Sequence, residues 1–230
     1  MEKERSNCTC LIPFYNEEKR IAAVLGQVTH VENISQIICI DDGSSDKGSE
    51  IIRARFKSVK VVEMGQNAGK SAAIKRGLEE VKTEYVFLMD ADLQDLKVDD
   101  ITDAIAAIQT DDKIDMLILR RMNAPWWVKL DRGDVLFCGI RILKKKDLEE
   151  VFRSAVNRYQ LEIAINGFMQ DNGKKVCWTP TNYQNTFKMD KWGFLTGLRH
   201  EIEMFRDMIS YAGLGNFLRQ IMTFGKDKLE

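Results

Sequence analysis

The first 120 residues alternate short apolar runs with longer amphipathic segments. Runs of about five apolar residues predict buried strands, and apolar residues at i, i+3, i+4 and i+7 predict helices that bury one face. The predicted strands are 7–13, 37–41, 59–64, 85–89 and 114–119. The first predicted helix begins after Asn16, which is taken as its N-cap. Three further helices are predicted near residues 51–56, 72–81 and 98–108. This alternation indicates βαβ crossovers and an α/β fold with a mainly parallel central sheet flanked by helices.

Beyond Arg120 the alternation ends. Residues 122–134 are predicted to form a long loop, followed by helices at 146–153 and 160–169 and a strand at 175–179. Two amphipathic helices are predicted through 202–209 and 214–222. We expect one domain over residues 1–185, with residues 186–230 as an amphipathic helical extension packed on it. The apolar residues of 214–222, with Trp126, Trp127 and Trp192, are expected to face the core or a lid; a bilayer surface or a second subunit is the alternative.

Composition limits the possible function classes. The chain has 230 residues, of which 44% are apolar and 30% are charged, as in ordinary globular proteins. The 34 basic and 35 acidic residues give a net charge of −1, which argues against a nucleic-acid partner. Five cysteines without a C-x-x-C pair predict buried free thiols. With no apolar signal segment at the start, we expect a cytoplasmic protein, or one at the inner face of the cell membrane.

Polar residues cluster where the predicted strands end. The four clusters are residues 13–17, 41–46, 67–71 and 90–94. Ligands of parallel α/β sheets bind outside the carboxyl ends of the strands. A single cluster of this kind is typical of an ordinary turn, whereas four in succession predict a binding cleft at one rim of the sheet.

The pair in these clusters that indicates a specific chemistry most clearly is Asp90 and Asp92. Residues i and i+2 at the end of an extended segment project to the same side, so the two carboxylates repel each other unless a cation lies nearby. Mg²⁺ or Mn²⁺ suits such a site, because these ions take few protein carboxylates and complete their shell with water and phosphate oxygens. A metal-bound diphosphate is therefore the expected ligand, and Gln94 adds a neutral oxygen.

The segment Gly65–Ser71 is similar to a phosphate-binding P-loop. That loop requires four residues between its glycines, but only three separate Gly65 from Gly69. The segment also follows the third predicted strand instead of the first. A P-loop kinase or nucleotide hydrolase is therefore only an alternative, and Lys70 is retained as a cation beside a nucleotide.

The four clusters together resemble a known family. Their sequences Pro-Phe-Tyr-Asn-Glu, Asp-Asp-Gly-Ser-Ser-Asp, Asn-Ala-Gly-Lys-Ser and Asp-Ala-Asp-Leu-Gln are similar to those of family-2 glycosyltransferases of the GT-A fold. The branch they most resemble contains dolichol-phosphate mannosyltransferase and other polyprenyl-phosphate glycosyltransferases. The resemblance covers residues 8–120 and continues more loosely beyond them. It implies a Rossmann-like catalytic domain and a nucleoside-diphosphate-sugar donor carrying UDP, GDP or dTDP.

The resemblance also implies roles for individual residues. The residues matched to the nucleotide pocket are Pro13, Tyr15, Glu17, Asp42, Asn67, Gly69 and Lys70. Asp90 and Asp92 match the family's Asp-x-Asp motif, whose metal holds the donor diphosphate, and Gln94 matches a supporting glutamine. Arg120, Arg121 and Arg141 are candidates for phosphate contacts, since guanidinium groups bind phosphate in bidentate geometry.

The acceptor determines whether a general base is needed. Glu162 matches a recurring family glutamate and is the candidate base for a hydroxyl acceptor, with Asp131 and Asp134 as alternatives. A lipid phosphate is already anionic and needs no base. We expect an inverting, metal-dependent transferase acting on a polyprenyl phosphate or a glycan hydroxyl, with Asp92 and Glu162 as catalytic residues. A non-catalytic scaffold is a further alternative, and peripheral membrane contact and homo-oligomers are both compatible with the sequence.

Overall fold

A central sheet organises the molecule. The structure, a computed structural model, describes residues 7–124, 132–157, 160–185 and 206–229. The strands of the sheet are β1 (Cys8–Phe14), β2 (Gln36–Asp41), β3 (Lys60–Glu63), β4 (Tyr85–Leu88), β6 (Met116–Arg121), β7 (Arg141–Lys144), β8 (Val176–Thr181) and β10 (Asp227–Lys228). A separate two-stranded sheet pairs β5 (Leu93–Gln94) with β9 (Gln184–Asn185).

Helices flank the sheet. They are α1 (Ile21–Val28), α2 (Gly48–Arg55), α3 (Lys70–Leu78), α4 (Val98–Thr110), α5 (Gly133–Leu136), α6 (Lys145–Val151), α7 (Leu161–Asp171) and α8 (Leu214–Thr223). Residues 206–212 are also helical. The predicted α/β class with a mainly parallel sheet is confirmed, because the strand order β3-β2-β1-β4-β7-β6-β8-β10 has antiparallel pairs only on the two sides of β7.

The strands are buried because helices cover the sheet. In β1, six of the seven residues are buried, with no alternation between apolar and polar positions. Continuous burial of this kind is expected where both faces of a parallel sheet are covered. The predicted burial of the free cysteines is also confirmed, since Cys8, Cys10, Cys39, Cys138 and Cys177 are all buried and unbridged. Burial raises the pKa of the Cys8 and Cys39 thiols, so both stay protonated at neutral pH.

Strand β7 was not predicted. It runs antiparallel between β4 and β6, with Arg141 opposite both Leu88 and Ile118. Its short buried sequence has neither polar alternation nor a preceding turn signal, so nothing local distinguishes it from a loop. Because β7 starts where β4 ends, it brings Gly139 to the rim that carries the polar clusters.

Asn16 does not have the predicted role. Helix α1 begins at Ile21 instead of directly after Asn16, whose φ is 55°. Asparagine tolerates this left-handed conformation better than most residues. The Asn16 Oδ1 accepts a hydrogen bond from the Ser45 amide at 2.9 Å, and the Asn16 amide donates to Ser44 Oγ at 3.0 Å. Asn16 therefore joins the loop after β1 to the loop after β2.

The C-terminal segment adds a helix and an edge strand. In α8, Phe217 and Gln220 are buried, whereas Leu214, Leu218 and Met222 are 60%, 47% and 63% exposed, so only part of the predicted apolar stripe packs inward. Strand β10, which was not predicted, pairs in parallel with β8 at one edge of the sheet. Some predictions stay open because they fall outside the described residues. They concern Trp126, Trp127, Asp131 and Trp192, and the predicted domain boundary at 185–186, which adjoins such a gap. Among the described helices, none combines the length and apolar character needed to cross a membrane.

Two loops at the rim meet through their main chains. Gly43, with φ 73°, lies so close to the next loop that an added Cβ would be 2.6 Å from the Gln66 carbonyl carbon and 2.7 Å from the Asn67 nitrogen. A side chain here would be strained by its φ and would also meet backbone, which has little freedom to move. The contact holds the loop after β2 against the loop after β3.

We predict that Gly43→Ala destabilises the fold more than Gly173→Ala. Gly173 also has a positive φ of 61° but no atom within 4 Å of an added Cβ, so it is a control for backbone strain alone. The left-handed conformation should cost about 1–2 kcal/mol at both positions, and overpacking a further 1–3 kcal/mol or so at Gly43. Denaturant unfolding of both variants measures the difference. Equal losses would show that the two loops do not press on each other.

Candidate active site

A partly buried three-residue ion cluster lies at the carboxyl end of the sheet. The Lys70 ammonium donates to Asp90 Oδ1 and to Glu162 Oε1, both at 2.7 Å. The three side chains are 30%, 23% and 12% exposed, respectively. They come from the start of α3, the end of β4 and the first turn of α7, so the cluster joins three distant parts of the chain.

The local backbone explains where Lys70 lies. Gly69 precedes α3 as its N-cap with φ 90°, a conformation that favours glycine, and Lys70 is the first residue of the helix. Burial by itself lowers the pKa of Lys70, but the charges of Asp90 and Glu162 outweigh that effect and raise its pKa above the ordinary value. Lys70 therefore stays positively charged at neutral pH.

Asp42 holds the loop that leads to Lys70. Its Oδ1 accepts from the Ala68 amide and its Oδ2 from the Gly69 amide, both at 2.8 Å, and the residue is only 4% exposed. In a P-loop these amides would point at a bound phosphate. Here they point at a carboxylate, so as folded these two amides are not available to a phosphate.

Asp41, which the sequence analysis did not single out, stabilises the neighbouring turn. Its Oδ1 accepts from the Ser44 amide at 2.8 Å, and its Oδ2 accepts a hydrogen bond from the Ser49 hydroxyl. Carboxylates commonly organise such turns by binding their main-chain N–H groups. The spacing of Asp41, Ser44 and Ser49 was a usable signal for this turn.

Several predicted nucleotide-site residues meet in one cleft. The lining residues are Pro13, Phe14, Tyr15, Asp42, Lys70 and Asp90. Tyr15 is 47% exposed, so its ring is accessible at the cleft. Asn67 is exposed on the loop before α3. Glu17 lies after β1 and accepts a hydrogen bond from the Arg20 guanidinium at 2.9 Å.

The predicted metal ligands follow β4 at the same rim. Asp90 and Asp92 are partly buried, and Gln94 is an exposed residue of β5 opposite Gln184 of β9. Within the described ranges there is no group of three or more His, Cys, Asp or Glu side chains that could hold a metal on its own. A pair of carboxylates beside an open cleft nevertheless fits Mg²⁺ or Mn²⁺, which often bind one or two carboxylates and fill the shell with water and phosphate oxygens.

Two predicted phosphate contacts point elsewhere. Arg141 is fully buried, and its guanidinium donates to the Cys138 and Leu136 carbonyls and to Asn166 Oδ1. As folded, it supports the turn before β7 and does not reach the cleft. Burial lowers the pKa of Arg141, and the nearby charge of Glu162 opposes that effect.

Arg120 is also engaged by protein groups. Its Nε donates to Asp134 Oδ2 at 2.5 Å, and its guanidinium lies 4.5 Å from the centre of the Trp178 ring. Asp134, an alternative base, is 5% exposed and held by this ion pair, so the structure does not bring it into the cleft. Arg121, at the end of β6, is partly buried.

Gly139 is a site residue that the sequence analysis missed. A Cβ at this position would overlap Asp90 Oδ2 and lie 2.8 Å from Lys70 Nζ. The main chain before β7 therefore packs directly on the ion cluster, and a side chain at position 139 would have to displace the ends of Asp90 and Lys70. No local signal marks this requirement, because the groups it meets lie about 50 and 70 residues earlier in the chain.

Comparison with known proteins supports the same interpretation. Residues 9–164 match the family described as Glycosyl transferase family 2. An undecaprenyl-phosphate 4-deoxy-4-formamido-L-arabinose transferase of Aeromonas hydrophila is 42% identical over 92 residues, which cover 36% of this chain and 28% of the relative. The corresponding enzyme of Serratia proteamaculans is 34% identical over 92 residues, with the same coverage. The matched segment is thus less than a third of each relative's length.

The fold also matches solved structures. Glucosyl-3-phosphoglycerate synthase of Mycobacterium tuberculosis, in complex with Mn²⁺, UDP and glucosyl-3-phosphoglycerate, superposes with a TM-score of 0.70. The superposition covers 88% of this chain and 80% of that chain at 16% identity, so it establishes the GT-A fold alone. The expected resemblance is confirmed by the family match, which spans more than half of the chain. This chain belongs to the family-2 glycosyltransferases.

Proposed function

We propose that the protein transfers a sugar from UDP-sugar to a polyprenyl phosphate, with Mn²⁺ or Mg²⁺ held by Asp90 and Asp92. The observation that carries the proposal is the Lys70 bridge between Asp90 and Glu162 beside the cleft of Tyr15 and Asp42. The solved neighbour with UDP and Mn²⁺ supports the choice of nucleotide and ion. The relatives named as undecaprenyl-phosphate transferases support the choice of acceptor.

The cleft is suited to the donor. We assign the Tyr15 ring to the face of the base and Asp42 to its polar edge, since both line the cleft. Lys70 lines the same cleft, but Asp90 and Glu162 balance its charge, so the diphosphate needs a further cation. A bound divalent cation would neutralise negative charge that develops on the leaving nucleoside diphosphate. Gln94 and Asn67 are exposed at the rim, where they are available to a ligand.

The engagement of Glu162 favours a phosphate acceptor. One of its oxygens is already held by Lys70, and the side chain is only 12% exposed. An anionic phosphate oxygen needs no base and would attack the anomeric carbon on the face opposite the departing diphosphate. The new glycosidic bond forms as the bond to the diphosphate breaks, so the configuration inverts. Glu162 then acts by holding Lys70 in place.

A lipid acceptor also requires access to a membrane surface. Leu214, Leu218 and Met222 follow one another at intervals of four residues on α8, so they share one exposed face. An exposed apolar helix face is one of the features by which proteins contact a bilayer interface. We infer that this face rests on the inner side of the cell membrane; contact with a second copy is the alternative.

We predict that UDP with Mn²⁺ raises the melting temperature, whereas ATP with Mn²⁺ does not. A ligand at 100 times its dissociation constant stabilises the folded state by about 2.7 kcal/mol, which is several degrees for a chain of this size. Differential scanning fluorimetry with UDP, GDP, dTDP and ATP, each with and without Mn²⁺, measures the effect. A preference for ATP would support the kinase alternative, and no response to any nucleotide would support a scaffold.

The variant Asp92→Asn tests the metal site in the same assay. A rim substitution should change the stability of the free protein by no more than about 0.5 kcal/mol, because it removes no core packing. The Mn²⁺-dependent part of the UDP shift and the transferase activity should both be lost. An unchanged Mn²⁺-dependent shift would remove Asp92 from the metal site.

Glu162→Gln separates the two acceptor chemistries. With a polyprenyl phosphate acceptor we expect less than about a tenfold loss of kcat, because no proton has to be removed and the amide oxygen of the variant can still accept a hydrogen bond from Lys70. Loss of a general base would instead cost about 10²–10⁴-fold. Glu149→Gln, on the exposed face of α6, is the matched control and should be neutral. A loss of more than a hundredfold in Glu162→Gln alone would favour a hydroxyl acceptor.

Gly139→Ala tests the packing of the main chain on the ion cluster. The added methyl group should displace Asp90 and Lys70, and a displacement of about 1 Å near reacting groups can cost 10²-fold in rate. We expect weaker UDP–Mn²⁺ binding and at least about a tenfold lower kcat/KM, with an unchanged circular dichroism spectrum. Gly26→Ala, where nothing lies within 4 Å of the added Cβ, is the control. Wild-type kinetics in Gly139→Ala would contradict the assigned contact.

A further inference from the structure

The Asp90 carboxylate has a protein group beside each of its oxygens. Its Oδ1 accepts a hydrogen bond from the Lys70 ammonium at 2.7 Å, and the Asp90 side chain is only 23% exposed. Its Oδ2 faces the main chain before β7, where a Cβ added to Gly139 would overlap it. A divalent ion that binds Asp90 therefore meets a carboxylate that the protein already contacts at both oxygens.

Lys70 opposes the binding of a divalent ion at this carboxylate. The ammonium group and the metal ion are both cations, so each repels the other and weakens its binding to Asp90. The ammonium also donates to Glu162 Oε1 at 2.7 Å, so this second carboxylate is engaged as well. Two carboxylates and one ammonium leave a single negative charge for an ion of charge +2. We therefore expect the nucleotide-free protein to bind a bare metal ion weakly.

The fold keeps the ammonium in this position. Lys70 is the first residue of α3, and Asp42 holds the main-chain amides of the two residues before it at 2.8 Å. A Cβ added to Gly139 would lie 2.8 Å from Lys70 Nζ, so the main chain before β7 closes one side of the ammonium. Glu162, whose side chain is 12% exposed, lies on another side. Without a ligand in the cleft, Lys70 therefore stays beside Asp90.

A nucleoside diphosphate changes this balance. Lys70 and Asp90 both line the donor cleft, and the Lys70 side chain is 30% exposed. A diphosphate in the cleft gives the ammonium another acceptor, which releases Asp90 Oδ1 to the metal ion. It also supplies oxygens that complete the shell of Mg²⁺ or Mn²⁺. Binding of the ion and of the diphosphate is then coupled, and each raises the affinity of the other by the same factor.

We propose that Lys70 is an internal counter-ion that competes with the divalent ion for Asp90, so that the site takes up the ion together with a nucleoside diphosphate. This role rests on the proposed function, which supplies the donor and the metal. It gives Lys70 an effect opposite to that of a metal-site support. Removing its charge strengthens the binding of the ion alone, whereas removing a support would weaken it.

Calorimetric titration with MnCl₂ in the absence of nucleotide tests the proposal. Lys70→Met removes the charge and keeps an unbranched side chain. We expect it to lower the Kd for Mn²⁺ at least about tenfold relative to the wild type, equivalent to about 1.4 kcal/mol. Mn²⁺ alone should also raise the melting temperature of this variant more than that of the wild type. An unchanged or higher Kd in Lys70→Met, or undetectable binding in both proteins, would overturn the proposal.

Three further variants make the test specific. Lys70→Arg keeps the positive charge and should bind Mn²⁺ as weakly as the wild type does. Lys75→Met removes an exposed lysine from the same helix and should have no effect. Lys70→Gln, whose amide can still donate to one carboxylate, replaces Lys70→Met if circular dichroism shows that the latter does not fold. Equal gains in Lys70→Arg or Lys75→Met would refute a local effect of the Lys70 charge.

UDP titrations separate this proposal from the proposed function. UDP should bind the wild type at least about tenfold more tightly with Mn²⁺ than without it, and the factor should be smaller in Lys70→Met, where no ammonium has to leave Asp90. Tighter Mn²⁺ binding by Lys70→Met without any response to UDP would contradict the donor assignment alone. An Mn²⁺-dependent response to UDP without a gain in Lys70→Met would contradict the counter-ion role alone.

Discussion

The Lys70 ammonium, held between Asp90 and Glu162, is the interaction on which the site depends. It is unfavourable on local grounds, because burial disfavours the charged amine and the positive end of the α3 dipole repels it. Two carboxylates at 2.7 Å offset both costs. Removing either carboxylate would leave a buried charge less balanced, so the start of α3, the end of β4 and the start of α7 are mutually dependent.

Main-chain contacts make this arrangement possible. Gly43 lets the loop after β2 touch the loop after β3, and Gly139 lets the segment before β7 touch Asp90 and Lys70. Asp42 fixes the Ala68 and Gly69 amides, and Arg141 fixes the carbonyls of the turn that contains Gly139. The charged groups are thus positioned by backbone segments that are themselves held by buried polar side chains. Such support is what keeps catalytic groups within a fraction of an ångström of a working geometry.

The elements that were predictable are those whose signal is local. Buried parallel strands such as β1 and β2 show continuous apolar runs, and α4 shows a clear helical period, so both the fold class and the rim of polar clusters followed from sequence. Strand β7 lacks such a signal because it is four residues long and defined by its neighbours on each side. Asn16 was predicted to be a helix cap because an asparagine side chain suits a cap and a turn equally well, and in the structure it forms a turn.

The side-chain roles were less predictable for a related reason. An amino-acid sequence contains no measure of burial for an individual arginine, so Arg141 was a candidate for a phosphate contact although it is fully buried. The contact between Lys70 and Glu162 spans 92 residues and requires β4, β7 and α7 to be placed first. Resemblance to a family supplied Glu162 as a candidate, but only the folded chain shows that this carboxylate is engaged by an ammonium group.

Helix α7 links the ion cluster to the turn before β7. Its first turn carries Glu162, where a negative charge is stabilised by the helix dipole. Asn166, on the same helix, accepts from Arg141 and so ties α7 to the turn beneath the ion cluster. Glu162 is thus positioned by a helix that is itself held to the turn containing Gly139.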